Sequence, residues 1–458
     1  MTKRRTRRNF LMGSLAAGGA LSTLGGLDPI LRLAQAAEPA AGLKDRYYIF
    51  CYFGGGWDVL LSLDPRDPNQ FNATNAETTR ILPAYDLLDG APDPFLIPTD
   101  YGFLGPYLGD LATKHADKIS VVRGMNMETL SHDAGQKRFT TGKPPSGTQA
   151  RGSSAVTWFS SLLGKQQIIP NLVSNSQVFN ADQPTYASGI KVHSVNDLLR
   201  AVRGQEPSLP SFMDQQIDVL LAEAAQCQRS LSSPFRTAAE LSRQKSVAMV
   251  SGNIDSYFDF AADTPEMAAL RDHYVFTKNE LHTGPARAAM AARSIISGVS
   301  RTASVSVVSG GLDTHFEDWK SIQGPRQRAG FDAIARMVED LEEHEYKDTG
   351  ASWMDHTNIV AYSEFSRTPL LNAKGGRDHW LGNAALMLGA DIQGGRVAGA
   401  SSNVGMQPMA FDPSTGLVDP AGEVMKPEHV LQTLFEGLGV TNDPADLRVS
   451  PITALLKK

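Results

Sequence analysis

Five short clusters hold the residues of this 458-residue chain best suited to chemistry. "FGGGWD" ends in Asp58, and "SHDAGQKRFTTG" opens with Ser131, His132 and Asp133. "GLDTHF" carries Asp313 and His315, "SEFSRTP" carries Glu364 and Arg367, and "GGRDHW" carries Arg377, Asp378 and His379. Imidazoles and carboxylates without thiolates suit divalent metals such as zinc, manganese, magnesium or iron. Two ions a few ångströms apart take roughly six protein ligands and clamp a phosphoryl-like oxyanion. Asp58, His132, Asp313, His315, Glu364, Asp378 and His379 supply enough donors for one or two such ions. Arg367 or Arg377 would then hold an anionic substrate in bidentate fashion.

Each cluster also has a plain local use. Asp58 can cap a turn, Glu364 can pair with Arg367, and the Asp313 and Asp378 segments can be ordinary loops. Their common position argues for a shared site. Apolar runs typical of strands buried on both faces occur at 47–53, 118–125, 303–310, 357–365 and 383–392. Helical segments alternate with them: one ends at Gly142, one spans 153–164, one carries Phe331, Ile334, Val338 and Leu341 on one face, and one starts at Pro427. Strands alternating with helices predict an α/β fold with a mostly parallel sheet. In such a sheet ligands bind beyond the carboxyl ends of the strands, where all five clusters are expected to meet. Residues 64–106, rich in Pro, Asp and Asn, read as a surface excursion, and 195–300 as a mainly helical insertion.

The first 36 residues stand apart. Lys3, Arg4, Arg5, Arg7 and Arg8 precede an uncharged Gly/Ala-rich run from Phe10 to Leu27, and Ala34-Gln35-Ala36 offers a small-x-small cleavage site. That is the order of an export signal, and Arg7-Arg8 followed by Phe10-Leu11 resembles the twin-arginine type. The expected partner is the twin-arginine translocase, and the expected location is periplasmic or extracellular, with no stable membrane span after cleavage. The whole chain carries −6; residues 1–36 contribute six basic side chains and Asp28, a net of +5, so the remainder stands at −11. No basic block remains for neutralising phosphates, which excludes nucleic acid as the expected partner. The two cysteines, Cys51 and Cys227, make neither a disulfide framework nor a thiolate metal site. His115, His193, His273, His282, His344, His356 and His429 have no convergent acids and are expected to be packing or surface residues.

The motifs "YFGGGWD", "SHDAGQKRFTTG", "GGLDTHFEDW", "SEFSRTP" and "GGRDHW…LMLGADIQGG" resemble, in order and over about residues 47–440, the domain-of-unknown-function 1501 family. That family is grouped with the alkaline phosphatase and sulfatase superfamily. The resemblance implies a single three-layer α/β/α sandwich over 37–458 and a two-metal site. By position, Asp58 resembles the first aspartate ligand, Asp313 and His315 an Asp/His ligand pair, and His379 the late histidine ligand; Glu364 stands where Asp is usual. The chain departs from the superfamily in three places. Phe365 follows Glu364 where a histidine is usual, the Asp313/His315 pair is closely spaced, and Ser131-His132 lies at the nucleophile slot. Neither cysteine has a sulfatase-type Cys-x-Pro-x-Arg context. Two mechanisms follow: Ser131 as a metal-activated nucleophile, or His132 as a ligand with direct attack by a metal-bound hydroxide. The implied function is an exported metal-dependent hydrolase of a phosphate or sulfate ester or similar oxyanion substrate. The alternative is a non-catalytic metal-binding or structural protein that keeps the fold.

Overall fold

Along β1 (Tyr47–Tyr52) the side chains alternate between two apolar layers. Tyr47, Ile49 and Cys51 enter one core cluster, and Tyr48 and Phe50 enter the other. A strand apolar on both faces must be covered on both faces. In the computed structural model, which describes residues 42–203, 210–226 and 233–458, it lies in the middle of an eight-stranded sheet. The other strands are β2 (Ile119–Asn126), β3 (Asn171–Ser174), β4 (Ile190–Val192), β5 (Thr302–Ser306), β6 (Thr357–Tyr362), β7 (Gly382–Gly389) and β8 (Arg396–Ala398). Their order is β8-β2-β7-β6-β1-β5-β3-β4. Every neighbouring pair is parallel except those made by β7, which runs antiparallel to both β2 and β6.

The helices that cover the sheet are α1 (His132–Thr141), α2 (Ala155–Leu163), α3 (Gly284–Ile296), α4 (Trp319–Glu343) and α5 (Pro427–Leu438). Ala288, Ala292 and Ile295 of α3 pack with Ile334, Val338 and Leu341 of α4 and with Ile49, Ile359 and Leu386 from one face. Phe139, Phe159, Val430 and Leu434 of α1, α2 and α5 pack with Phe50, Tyr362 and Met387 from the other. The fold is a three-layer α/β/α sandwich. Full burial of each Val, Leu, Ile, Phe or Met among them contributes about 1.5–3 kcal/mol before entropy is counted.

Three strands of the sheet, β3, β4 and β8, have no counterpart in the sequence reading. They are four, three and three residues long, too short to show a period. The segment 64–106 is not merely a surface excursion, since Ile81 and Tyr85 are buried and the hydroxyl of Tyr85 donates to the Leu60 carbonyl. Cys51 is a buried free thiol, and burial pushes its pKa up. Residues 1–36 and Cys227 lie outside the described residues. No helix among the described residues is long and apolar enough to cross a membrane.

Candidate metal centre

The site is assembled by close backbone approaches at the carboxyl edge of the sheet. β1 runs into Gly54-Gly55-Gly56. Gly55 has φ +107°, and a Cβ there would lie 2.3 Å from the backbone nitrogen of Leu312. The loop carrying Asp313 and His315 is thereby seated on the loop after β1, and Leu312 N–H donates to the Gly54 carbonyl at 2.9 Å. β6 runs directly into Ser363 and Glu364. Because β7 is antiparallel, the segment before it, with Asp378 and His379, arrives at this same edge. There His379–Trp380 pairs with Ser366–Arg367 in a two-residue antiparallel ribbon. α1 begins at His132 and packs so tightly on β6 that a Cβ on Gly135 would lie 2.3 Å from the Glu364 carbonyl oxygen.

Three imidazoles converge on Asp313, and each is fixed from behind. His132 Nδ1 lies 2.6 Å from Glu364 Oε1, His315 Nδ1 lies 2.8 Å from Asp378 Oδ1, and His379 Nδ1 lies 2.6 Å from the Leu130 carbonyl. Those acceptors assign a proton to each Nδ1 and leave each neutral ring a bare Nε2. The Nε2 atoms face inward: that of His132 is 3.4 Å from Asp313 Oδ2, and those of His315 and His379 are 3.0 and 3.4 Å from Asp313 Oδ1. One ligand atom each from His132, Asp313 and His379 lies within 4.8 Å of the others.

The chain matches the family described as "Protein of unknown function (DUF1501)" over residues 102–413. The protein belongs to that family. It is similar to a solved protein of the alkaline phosphatase superfamily from Vibrio parahaemolyticus, at 11% identity over 96% of this chain and 76% of that one, with a TM-score of 0.36. It is also similar to the alkaline phosphatase of the Antarctic bacterium TAB5, at 9% identity over 78% of this chain and 94% of that one, with a TM-score of 0.28. No curated protein matches it.

In this member of the DUF1501 family the cluster suits a divalent cation on two observations. His132 Nε2 is buried and has no hydrogen-bond partner. The Nε2 atoms of His315 and His379 lie 3.0 Å apart, two lone pairs facing each other unless a cation or proton intervenes. An His/Asp/His donor set with each ring held by an outer acceptor is an arrangement that divalent metals favour. Arg367, almost wholly buried, donates to Asp313 Oδ1 at 2.6 Å and to the Gly56 carbonyl at 3.0 Å. Partial burial would raise the Asp313 pKa, but the Arg367 hydrogen bond and charge outweigh it and hold it at about 2. The hydrogen bond to Glu364 raises the His132 pKa, while burial lowers that of His379. The Phe365 ring is buried beneath two of the imidazoles, its centroid 4.7 Å from His132 and 4.2 Å from His379.

The remaining residues singled out in the sequence stand around this cluster. Glu364, fully buried, accepts from His132, from Gly55 N–H at 2.7 Å and from Ser363 Oγ at 2.9 Å, so it sits behind His132. Asp378 stands likewise behind His315, whose hydrogen bond lowers its pKa. Asp58 is engaged elsewhere. It caps the short helix Val59–Leu61 by accepting from Leu60 N–H, and its Oδ2 meets Arg377 Nε at 2.9 Å and Trp319 Nε1 at 2.8 Å. Arg377 is fully buried and also donates to the Thr368, Leu82 and Pro83 carbonyls. The Asp58–Arg377 pair therefore anchors the loops under the site. Ser131 is the exposed N-cap residue of α1 and makes no side-chain cap bond. A cleft of about 700 Å³ opens beside His132, Asp313 and Glu364 and is also lined by Arg287 and Ser309. A smaller one of about 400 Å³ opens on the other side of His315, against Phe316, Asn372 and Lys374.

Of the histidines expected to be packing or surface residues, His282 lines the large cleft. Arg287, buried in the first turn of α3, was hidden in an Ala-rich helical pattern that gives no sign of a cleft wall.

Proposed function

We propose that the protein is an exported, metal-dependent hydrolase of a phosphate or sulfate ester or a similar oxyanion ester. The observation that carries this reading is the convergence of the His132, His315 and His379 Nε2 atoms on Asp313 at the mouth of a large cleft. A divalent ion held there supplies Lewis acidity and a lowered pKa for bound water. His132, Asp313 and His379, with His315 adjoining, would hold it. Glu364, Asp378 and the Leu130 carbonyl keep the three Nδ1 protons in place, so the Nε2 lone pairs stay aimed at the ion. Arg367 keeps Asp313 ionised. Phe365 closes the floor beneath two of the imidazoles and limits water there.

Export rests on the twin-arginine signal in the sequence; an R7K/R8K variant is expected to stay in the cytoplasm. The second reading, a non-catalytic metal-binding protein, is favoured by one observation. Ser131, the side chain at the nucleophile slot, is exposed and lies outside the lining of both clefts that flank the cluster. The test is hydrolysis of p-nitrophenyl phosphate and p-nitrophenyl sulfate by metal-replete protein. We expect turnover that a chelator abolishes, that His132→Ala loses and that Ser131→Ala keeps. Metal-replete protein without turnover on either ester would support the non-catalytic reading. Turnover surviving His132→Ala would place the chemistry elsewhere.

A further inference from the structure

The lining of the large cleft holds two kinds of charged group. Beside His132 both carboxylates are engaged, Asp313 by Arg367 and Glu364 by His132, Gly55 and Ser363. Arg287 also lines the cleft, although only 4% of its surface is exposed. Its Nε donates to the Ser306 carbonyl at 2.6 Å, its Nη2 to the Val308 carbonyl at 2.7 Å and its Nη1 to the His282 carbonyl. Those acceptors are all neutral. Among the described residues no carboxylate pairs with Arg287, and a guanidinium with five N–H donors keeps two beyond these three bonds.

Nearby, Arg326 donates to the Gly311 carbonyl, and a Cβ on Gly310 would lie 3.0 Å from its guanidinium. Two arginines thus touch the Val308–Gly311 loop that lines the cleft. A buried charge is stable when it is paired, and an unpaired one stores a preference for a counter-ion. Burial pushes the Arg287 pKa down to about 10, which marks the same deficit.

We propose that the part of the cleft lined by Arg287 is an anion subsite. In it Arg287 pairs with a carboxylate, sulfate or phosphate group that the substrate carries besides the ester reacting at the histidine cluster. The part about the substrate rests on the hydrolase reading; the subsite itself does not. It narrows the substrate class to esters bearing a second anionic group. Guanidinium recognition of such a group is bidentate and charge-assisted.

The test is calorimetric titration of sodium sulfate, and separately phosphate and acetate, into chelator-treated protein at low ionic strength. We expect one sulfate site, weakened about tenfold or more by Arg287→Gln. Ser309→Asp gives a second readout should Arg287→Gln fail to fold. Its carboxylate would supply the missing counter-ion, raise the melting temperature and abolish sulfate binding. The subsite is overturned if the wild type binds none of the three anions, if folded Arg287→Gln binds sulfate as the wild type does, or if Ser309→Asp leaves sulfate binding intact. Sulfate binding without ester turnover would sink the hydrolase reading and leave the subsite standing.

Discussion

Glu364 offers the sharpest perturbation of the site, because it touches no expected ligand atom of the metal yet governs one. Its Oε1 accepts from both His132 Nδ1 at 2.6 Å and Gly55 N–H at 2.7 Å. Glu364→Gln can keep that oxygen in place and turn its amide toward Ser363, so both donors stay satisfied and only the negative charge is lost. Glu364→Ala removes the acceptor, leaves the half-buried Gly55 N–H without its carboxylate partner and frees His132 to change tautomer. Outer carboxylates behind a ligating histidine are worth about 10–100-fold in metal affinity. The glutamine variant is expected near the lower bound, and the alanine variant at or beyond the upper one. The alanine variant should also lose about 0.5–1.5 kcal/mol of stability for the lost hydrogen bond, since Gly55 lines the cleft and water can reach its N–H. Competition with a chromophoric chelator gives the Zn²⁺ and Mn²⁺ affinities, and urea melts give the stability. Equal affinity in wild type and Glu364→Ala, with the variant folded, would refute the role assigned to this carboxylate.

Other outcomes follow from the same contacts. Arg377→Met leaves Asp58 charged and unpaired in the interior, and should cost about 3–5 kcal/mol in urea unfolding. A variant that instead loses only substrate affinity would show that Arg377 reaches the cleft. Gly135→Ala drives a Cβ to 2.3 Å from the Glu364 carbonyl oxygen. It should lower stability by about 1–3 kcal/mol and weaken metal binding together, since α1 carries His132; unchanged binding would separate helix packing from ligand placement. The pH response follows from the raised His132 pKa. In metal-free protein that shift contributes stability fully present below the unfolded value of about 6.5 and lost as pH rises through the folded value. Metal binding has the opposite sign, because a proton on Nε2 blocks the ligand. Zn²⁺ affinity should therefore fall as pH drops through a midpoint above about 6.5, and that midpoint should move down in Glu364→Gln. An NMR titration of the His132 ring checks it.

The candidate site was legible in the sequence where polar residues interrupt apolar runs. Asp313, His315 and His379 stand out beside strands that tolerate no charge, and the common edge of the sheet brings them together. The direction of β7 was not legible, because a fully buried strand reads the same either way. Yet that direction is what carries Asp378 and His379 to the site. Nor does residue type tell a ligand from its support. Glu364 and His132 are both good donors, and only their 2.6 Å contact shows the carboxylate behind the imidazole. Asp58 follows three glycines, as a ligand or a cap would, and its burial with Arg377 and Trp319 reveals the anchoring role. The Leu130 carbonyl that fixes His379 could not be read from sequence, since a backbone acceptor has no side-chain signature.

The most direct test of the metal centre is elemental analysis of full-length protein purified without added metal, alongside Asp313→Ala. The expected result is about one divalent ion per folded chain in the wild type and none in the variant. A folded wild type without metal, or a variant that keeps the full complement, would contradict it.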